Sequence, residues 1–294
     1  MTSPKISIIF PNFNGGKEPL DCLKSIKNLN YPKSQLEVIV IDNNSTDGSD
    51  LKIKIKFPKV KLIKNKTNLG FAKAINQGIK KSTGQYILIT NDDVVFGKDS
   101  FKIMTDYLKQ NPEVGVLGGK IFLKSNPKKI ISAGFMFNRW TGQIYMAKNP
   151  DQSKEPDWVQ GCCMMVPKKV INKIGLVDEG FSLIYFEDID FCFRARESGF
   201  QVTCLPEAKF WHGNTVTMNK NKPEKYYQWY KNKFRFILKH MPPANIINIL
   251  LIQIFLVMPF NVIHFKEGRL VPLLKGFFWN ILNLKKTLNA RNNG

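Results

Sequence analysis

Along the first hundred residues, short apolar runs alternate with helical spacings. Lys5–Phe10 (KISIIF), Leu36–Ile41 (LEVIVI), Val60–Ile63 and Tyr86–Ile89 are rich in β-branched residues and read as strands, mostly buried on both faces. Between the first two, Leu20, Leu23, Ile26 and Leu29 recur at helical spacing, and Asn68-Leu69-Gly70 opens a helix over Phe71–Lys80. Leu51–Lys56 alternates apolar residues with lysine at period two where a βαβ repeat requires a helix, so its state stays open. Strand–helix alternation predicts parallel strands joined by right-handed crossovers, an α/β fold. In such a sheet the carboxyl ends share one edge, where ligands bind. The polar clusters Pro11–Asn14, Asp42–Asn44 and Asn91–Asp93 follow the first, second and fourth strands and are expected to converge there.

Farther on, Ser100–Gln110 reads as a helix, and Val114–Leu117 and Lys120–Leu123 as two strands. Lys129–Ala147 is strand-and-turn material, Val159–Val166 a strand, and Lys168–Ile174 a helix. Glu187 starts a helix that ends at Gly199, with Asp190 and Arg194 spaced to pair. Val202–Leu205 is a short strand, followed by Lys209–Gly213. The pattern then changes. Tyr226, Tyr227, Trp229, Tyr230, Phe234 and Phe236 interleave with Lys225, Lys231, Lys233 and Arg235. Ile246–Ile263 is apolar except for Asn248, Gln253, Pro259 and Asn261, and a last apolar patch, Leu270–Leu284, runs into Lys285-Lys286. A membrane-spanning helix needs about 20 apolar residues. The interrupted segment therefore suits an interfacial, shallowly inserted element, or else a buried helical hairpin.

Charge sharpens this picture. Lys and Arg exceed Asp and Glu by 44 to 23, a formal +21, which favours an anionic partner. From Thr215 onward thirteen basic residues face two acids, a net +11 in about a quarter of the chain. Five cysteines, mostly in apolar company and without a C-x-x-C pair, predict reduced thiols in a cytoplasmic setting. The opening MTSPKISIIF goes directly into a strand, so no secretion signal is expected.

The candidate chemistry is carboxylate chemistry. Asp92 and Asp93 end a buried strand, where an unpaired charge is not tolerated in a core. Hard oxygen ligands there suit Mg²⁺ or Mn²⁺, although Asn-Asp-Asp also makes a polar turn. Asp188, beside Glu187 at a helix start, reads by itself as a helix cap, a common role for Asp.

The motifs PNFNGG, VIVIDNNSTDGS, NLGFAKAINQGI, ITNDDV, QGCCMMVPKKVINKIGLVDEGF and FEDIDFCFRARESG occur in this order over Lys5–Gly213. The set resembles the family 2 glycosyltransferases, especially the rhamnosyltransferase-like branch that extends bacterial surface polysaccharides. The resemblance implies a GT-A fold: a Rossmann-like, mostly parallel sheet flanked by helices, with residues 1–214 catalytic (donor side 1–98, acceptor side 99–214). Residues 215–294 are then a helical, membrane-associating extension. It implies a nucleoside-diphosphate sugar donor, a divalent metal and inverting transfer to a glycan or lipid-linked acceptor at the cytoplasmic membrane face.

By the same resemblance, Pro11, Phe13, Asn14 and Asp42 meet the nucleoside, and Asn68 and Lys73 lie near the nucleotide. Asn91, Asp92 and Asp93 occupy the family's Asp-x-Asp site, with Asn first and Asp93 as the metal ligand. His212 is the imidazole ligand, Asp188 the base and Glu187 its helper. Gln160 and Gly161 form the floor, and Trp158 is placed to stack on a sugar. A sugar nucleotidyltransferase would need a basic Gly-rich loop, which PNFNGG lacks. A polyanion- or nucleic-acid-binding protein, motivated by +21 and by Tyr226–Phe236, is opposed in the crevice, though not on the tail, by the acids at the strand ends; no nucleic acid is expected in the crevice.

Overall fold

The computed structural model describes residues 3–147, 155–181, 183–213, 222–257, 259 and 269–292. Four strands, β1 (Ile6–Asn12), β2 (Leu36–Asp42), β3 (Lys61–Lys64) and β4 (Tyr86–Thr90), pair in parallel in the order β3-β2-β1-β4. Their crossovers are α1 (Glu18–Lys27), α2 (Ser49–Lys56) and α3 (Phe71–Lys81). The open stretch Leu51–Lys56 is therefore helix. It covers the sheet with little besides Ile53 and leaves Leu51 and Ile55 exposed, so no apolar face is written into its sequence.

Beyond β4 the sheet becomes mixed. β10 (Cys163–Pro167) runs antiparallel to both β4 and β6 (Val114–Leu123), β11 (Gln201–His212) lies parallel to β6, and β5 (Val94–Phe96) closes antiparallel on β11. β7 (Asn126–Ser132) pairs with β6, and β8 (Phe135–Phe137) with β9 (Ile144–Met146) forms a separate hairpin. Helices α4 (Ser100–Gln110), α5 (Lys168–Ile174) and α6 (Glu187–Glu197) complete this half.

Two expected strands at 114–123 are one. Gly118 and Gly119 interrupt the apolar run because a Cβ there would meet Val159 at 2.7 Å and the Ala208 carbonyl at 2.4 Å. β11 is likewise longer than Val202–Leu205. Pro206 sits where the register to β6 shifts between Leu205 and Lys209, the irregularity that tolerates a missing N–H.

The C-terminal segment is helical: α7 (Lys222–His240), α8 (Pro243–Ile252) running into a π turn at Gln253–Val257, α9 (Leu270–Leu282) and α10 (Leu284–Asn292). Much of the aromatic and basic stretch 226–236 is not a surface element. Tyr230, Lys231, Phe234, Arg235 and Phe236 are buried, and Phe236, Ile237 and Ile249 belong to the main core. Among the described residues no helix is long and apolar enough to cross a membrane; residues 258 and 260–263 of the predicted apolar segment lie outside them.

Candidate active site

The three polar strand ends do meet. Asn12, the last residue of β1, is fully buried, and its Nδ2 donates to Asp42 Oδ1 at 2.8 Å, Ser49 Oγ at 2.9 Å and Ser45 Oγ at 3.0 Å. Asp42 is also fully buried; its Oδ2 accepts Ser45 N–H at 3.1 Å, so the carboxylate organises its own turn. Asn14 closes the two loops together: its Oδ1 accepts Thr46 N–H at 2.8 Å, while its N–H reaches Ser45 Oγ at 3.0 Å. Pro11 is half-buried, and Phe13 and Asn14 stand exposed at the rim. Gly15 is required here: a Cβ would lie 2.4 Å from Asp92 Oδ2. Neither Asn12 nor Gly15 was singled out from sequence, since both hide inside PNFNGG.

Asn91, Asp92 and Asp93 link β4 to β5. The antiparallel pairing of β5 with β11 sets His212 opposite Val94, so a residue more than a hundred positions away reaches this turn. His212 Nε2 stands 3.0 Å from Asp93 Oδ1 and 3.1 Å from the Asn91 amide. Asp93 Oδ1 is buried, yet no hydrogen bond is formed at it. Two good ligand atoms facing each other with one orphaned oxygen are a donor set that fits a divalent cation. Among the described residues no third His, Cys, Asp or Glu joins them, so phosphate oxygens or water would complete the shell. Burial, and then Asp93, push the Asp92 carboxyl up to about 8.

The second carboxylate pair starts α6. Asp188 Oδ2 accepts Gly161 N–H at 2.9 Å and Oδ1 accepts Ile189 N–H at 2.8 Å, so Asp188 is tied to the first turn of its own helix, without capping it, while reaching the floor. Burial raises Asp188 to about 6 against these hydrogen bonds, and burial together with Asp188 raises Glu187 well above its usual range. Glu187 Oε2 is buried without a hydrogen bond. The two pairs are neighbours through Cys162. Thr90 Oγ1 holds the Cys162 carbonyl at 2.8 Å, and the Cys162 thiol, raised by burial, is raised further by both Asp93 and Asp188.

Three expectations meet different surroundings. Asn68 Oδ1 accepts Gly70 N–H at 2.9 Å and so opens α3. With Lys73 it lines a cavity of about 280 Å³ shared with Glu179, Arg235, Trp279 and Lys286, not with the strand-end cluster. Trp158 is no exposed sugar platform: it is buried and stacked on Phe135 at 4.7 Å between ring centroids.

Residues 7–175 match the glycosyl transferase family 2 model, more than half of the chain. The chain belongs to glycosyl transferase family 2. As a family 2 member it is 24% identical over 230 residues to N-acetylglucosaminyl-diphospho-decaprenol L-rhamnosyltransferase of Mycobacterium tuberculosis, covering 69% of this chain and 74% of the relative. Among solved structures it resembles S. aureus TarS 1-349 in complex with UDP-GlcNAc (TM-score 0.64, 17% identity, 92% of this chain and 79% of that one). It also resembles the mannosyltransferase PcManGT from Pyrobaculum calidifontis in complex with GDP-Man and Mn²⁺ (TM-score 0.60, 15% identity, 99% and 87% covered). These likenesses show the fold, which is GT-A as expected, and the enzyme is a glycosyltransferase.

Proposed function

We propose that this enzyme is an inverting, metal-dependent hexosyltransferase, with rhamnose as the first donor sugar to test and a polysaccharide or lipid-linked acceptor. The observation that carries the reading is geometric: Asp93 stands 3.0 Å from His212 at the end of β4, while Asp188 accepts the Gly161 N–H beside Cys162, whose carbonyl is held by Thr90 of the same strand. Residues 1–98 form the donor side and 99–214 the acceptor side. Pro11, Phe13 and Asn14 receive the nucleoside over the turn that Asp42 organises, and Asn91 and Asp92 line the donor sugar.

Asp93 and His212 would hold Mg²⁺ or Mn²⁺, which when bound offsets charge on the diphosphate leaving group. Asp188 takes the acceptor hydroxyl's proton as that oxygen bonds to the anomeric carbon and the bond to the nucleoside diphosphate breaks. A carboxyl at about 6 is more basic than an ordinary one yet still ionised at neutral pH. Gly161 N–H fixes its direction, and Glu187 contacts the acceptor.

The extension 215–294 would hold the enzyme at the cytoplasmic face of the membrane, where lipid-linked acceptors lie. Phe255, Leu256, Phe278 and Leu282 are exposed, as are Lys275, Lys285 and Lys286, apolar and basic groups suited to anionic lipid.

A panel of nucleotide-sugars, scored for cation-dependent release of nucleoside diphosphate, tests the reading. Asp188→Asn should lower kcat about 10²-fold or more with donor affinity kept, and Asp93→Asn should abolish Mg²⁺- or Mn²⁺-dependent turnover while leaving the fold intact. Full turnover in Asp188→Asn, or a loss confined to donor binding, would overturn the base assignment.

A further inference from the structure

The loop that delivers Glu187 and Asp188 adopts a conformation its own residues disfavour. Leu183, Tyr185 and Phe186 have φ of 63°, 77° and 73°. Each non-glycine residue in this left-handed region costs about 1–3 kcal/mol and persists only where the surroundings over-determine it. From the donor side, Leu183 O accepts Phe71 N–H at 2.9 Å, and Gly70 lies so close that a Cβ would sit 2.9 Å from the Leu183 backbone. From the other side, the fully buried Asn232 of α7 donates Nδ2 to Ile184 O at 2.8 Å and to Tyr185 O at 3.0 Å. Trp229 packs on Tyr185 and Phe186 with ring centroids 5.4 and 5.1 Å away. α7 is itself seated: Asn280 of α9 donates to Lys231 O at 2.8 Å, next to Asn232.

We propose that Asn232 is a positioning residue for glycosyl transfer, holding the strained 183–186 loop so that Glu187 and Asp188 face Gly161 and the acceptor hydroxyl. The inference rests on the reading of Asp188 as base. Asn232 acts on the loop through the Ile184 and Tyr185 carbonyls. The chemistry selects the residue, because one amide nitrogen supplies both donors, whereas Asp would present only acceptors to those carbonyls and Leu would present nothing.

Asn232→Leu, close in size but without donors, and the smaller Asn232→Ala decide it in the full chain, with a donor nucleotide-sugar and its diphosphate as probes. Both should bind nucleoside diphosphate with Kd within about twofold of the parent, while kcat falls about 10- to 100-fold, the loss expected from a displacement near 1 Å. An unchanged kcat, or a donor KM that rises by as much as kcat falls, overturns the proposal. So does loss of nucleotide binding in both variants, which makes Asn232 a folding residue. Asp188→Asn measured alongside separates the two ideas. Full activity there sinks the base assignment, whereas an inactive Asp188→Asn beside an unimpaired Asn232→Leu sinks only the positioning role.

Discussion

Helix α7 and the apolar pair α8–α9 reverse the usual relation between polarity and burial. α7 is basic, yet Arg235 is 2% exposed and Lys231 3%; α8–α9 is apolar, yet Phe255 is 68% exposed and Leu282 85%. The difference lies in partners. Asp190 on α6 is fully buried and meets Arg194 at 2.9 Å, Lys239 at 2.6 Å and His240 at 2.9 Å. Asp178 meets Lys239 at 2.9 Å and Arg235 at 3.0 Å. Buried charge is tolerated when paired and hydrogen-bonded, so α7 can carry Arg235 and Lys239 into the core against Asp178 and Asp190. Phe255 and Leu282 are instead left exposed among the described residues, and exposed apolar side chains of this kind mark an interaction face.

The largest effect should come from breaking α7's pairing. Asp190→Ala leaves Arg194, Lys239 and His240 facing one another, and should lower stability by about 3–5 kcal/mol in urea unfolding. A loss under about 1 kcal/mol would mean that apolar packing, not charge, holds α7.

A smaller effect should appear with pH. His240 lies between Asp190 and Glu197, and their hydrogen bonds raise its pKa above the ordinary 6.5 against the pull of burial. A raised cation stabilises the fold fully below its unfolded pKa and loses that contribution as pH rises through the folded one. Stability should therefore decline on the alkaline side of 6.5, and His240→Gln should flatten that decline. Equal slopes in the two proteins would remove His240 from the network.

The smallest change in stability belongs to the apolar face. Phe255→Ser with Leu282→Ser should shift unfolding by no more than about 0.5 kcal/mol each, as exposed sites do, while abolishing flotation with anionic vesicles. Point changes are needed because truncation after Pro242 would also remove Ile249 and Leu273, both buried. Undiminished flotation of the double variant would show that this face does not meet lipid.

Much of the N-terminal half was legible because β1, β2 and β4 are buried on both faces, and such strands write continuous apolar runs. Their polar ends are legible for the same reason: carboxylates at the end of a core strand require a partner. Parallel crossovers then bring Asn12 to Asp42 and Gly15 to Asp92. α2 was illegible, since a helix that buries so little carries no periodic face. β6 and β11 were read short where glycines answer a neighbour's approach and a proline answers a register shift.

What the sequence by itself determined is therefore local: strand runs, helix starts, and the ordered motifs with their acidic strand ends. Only the tertiary structure decided which distant groups meet. His212 reaches Asp93 because β5 turns back onto β11, and Asn232 reaches the 184–185 carbonyls because α7 packs beside α6. It also decided which lysines and arginines are core, because a side chain's burial depends on the charge opposite it, which its own segment does not contain.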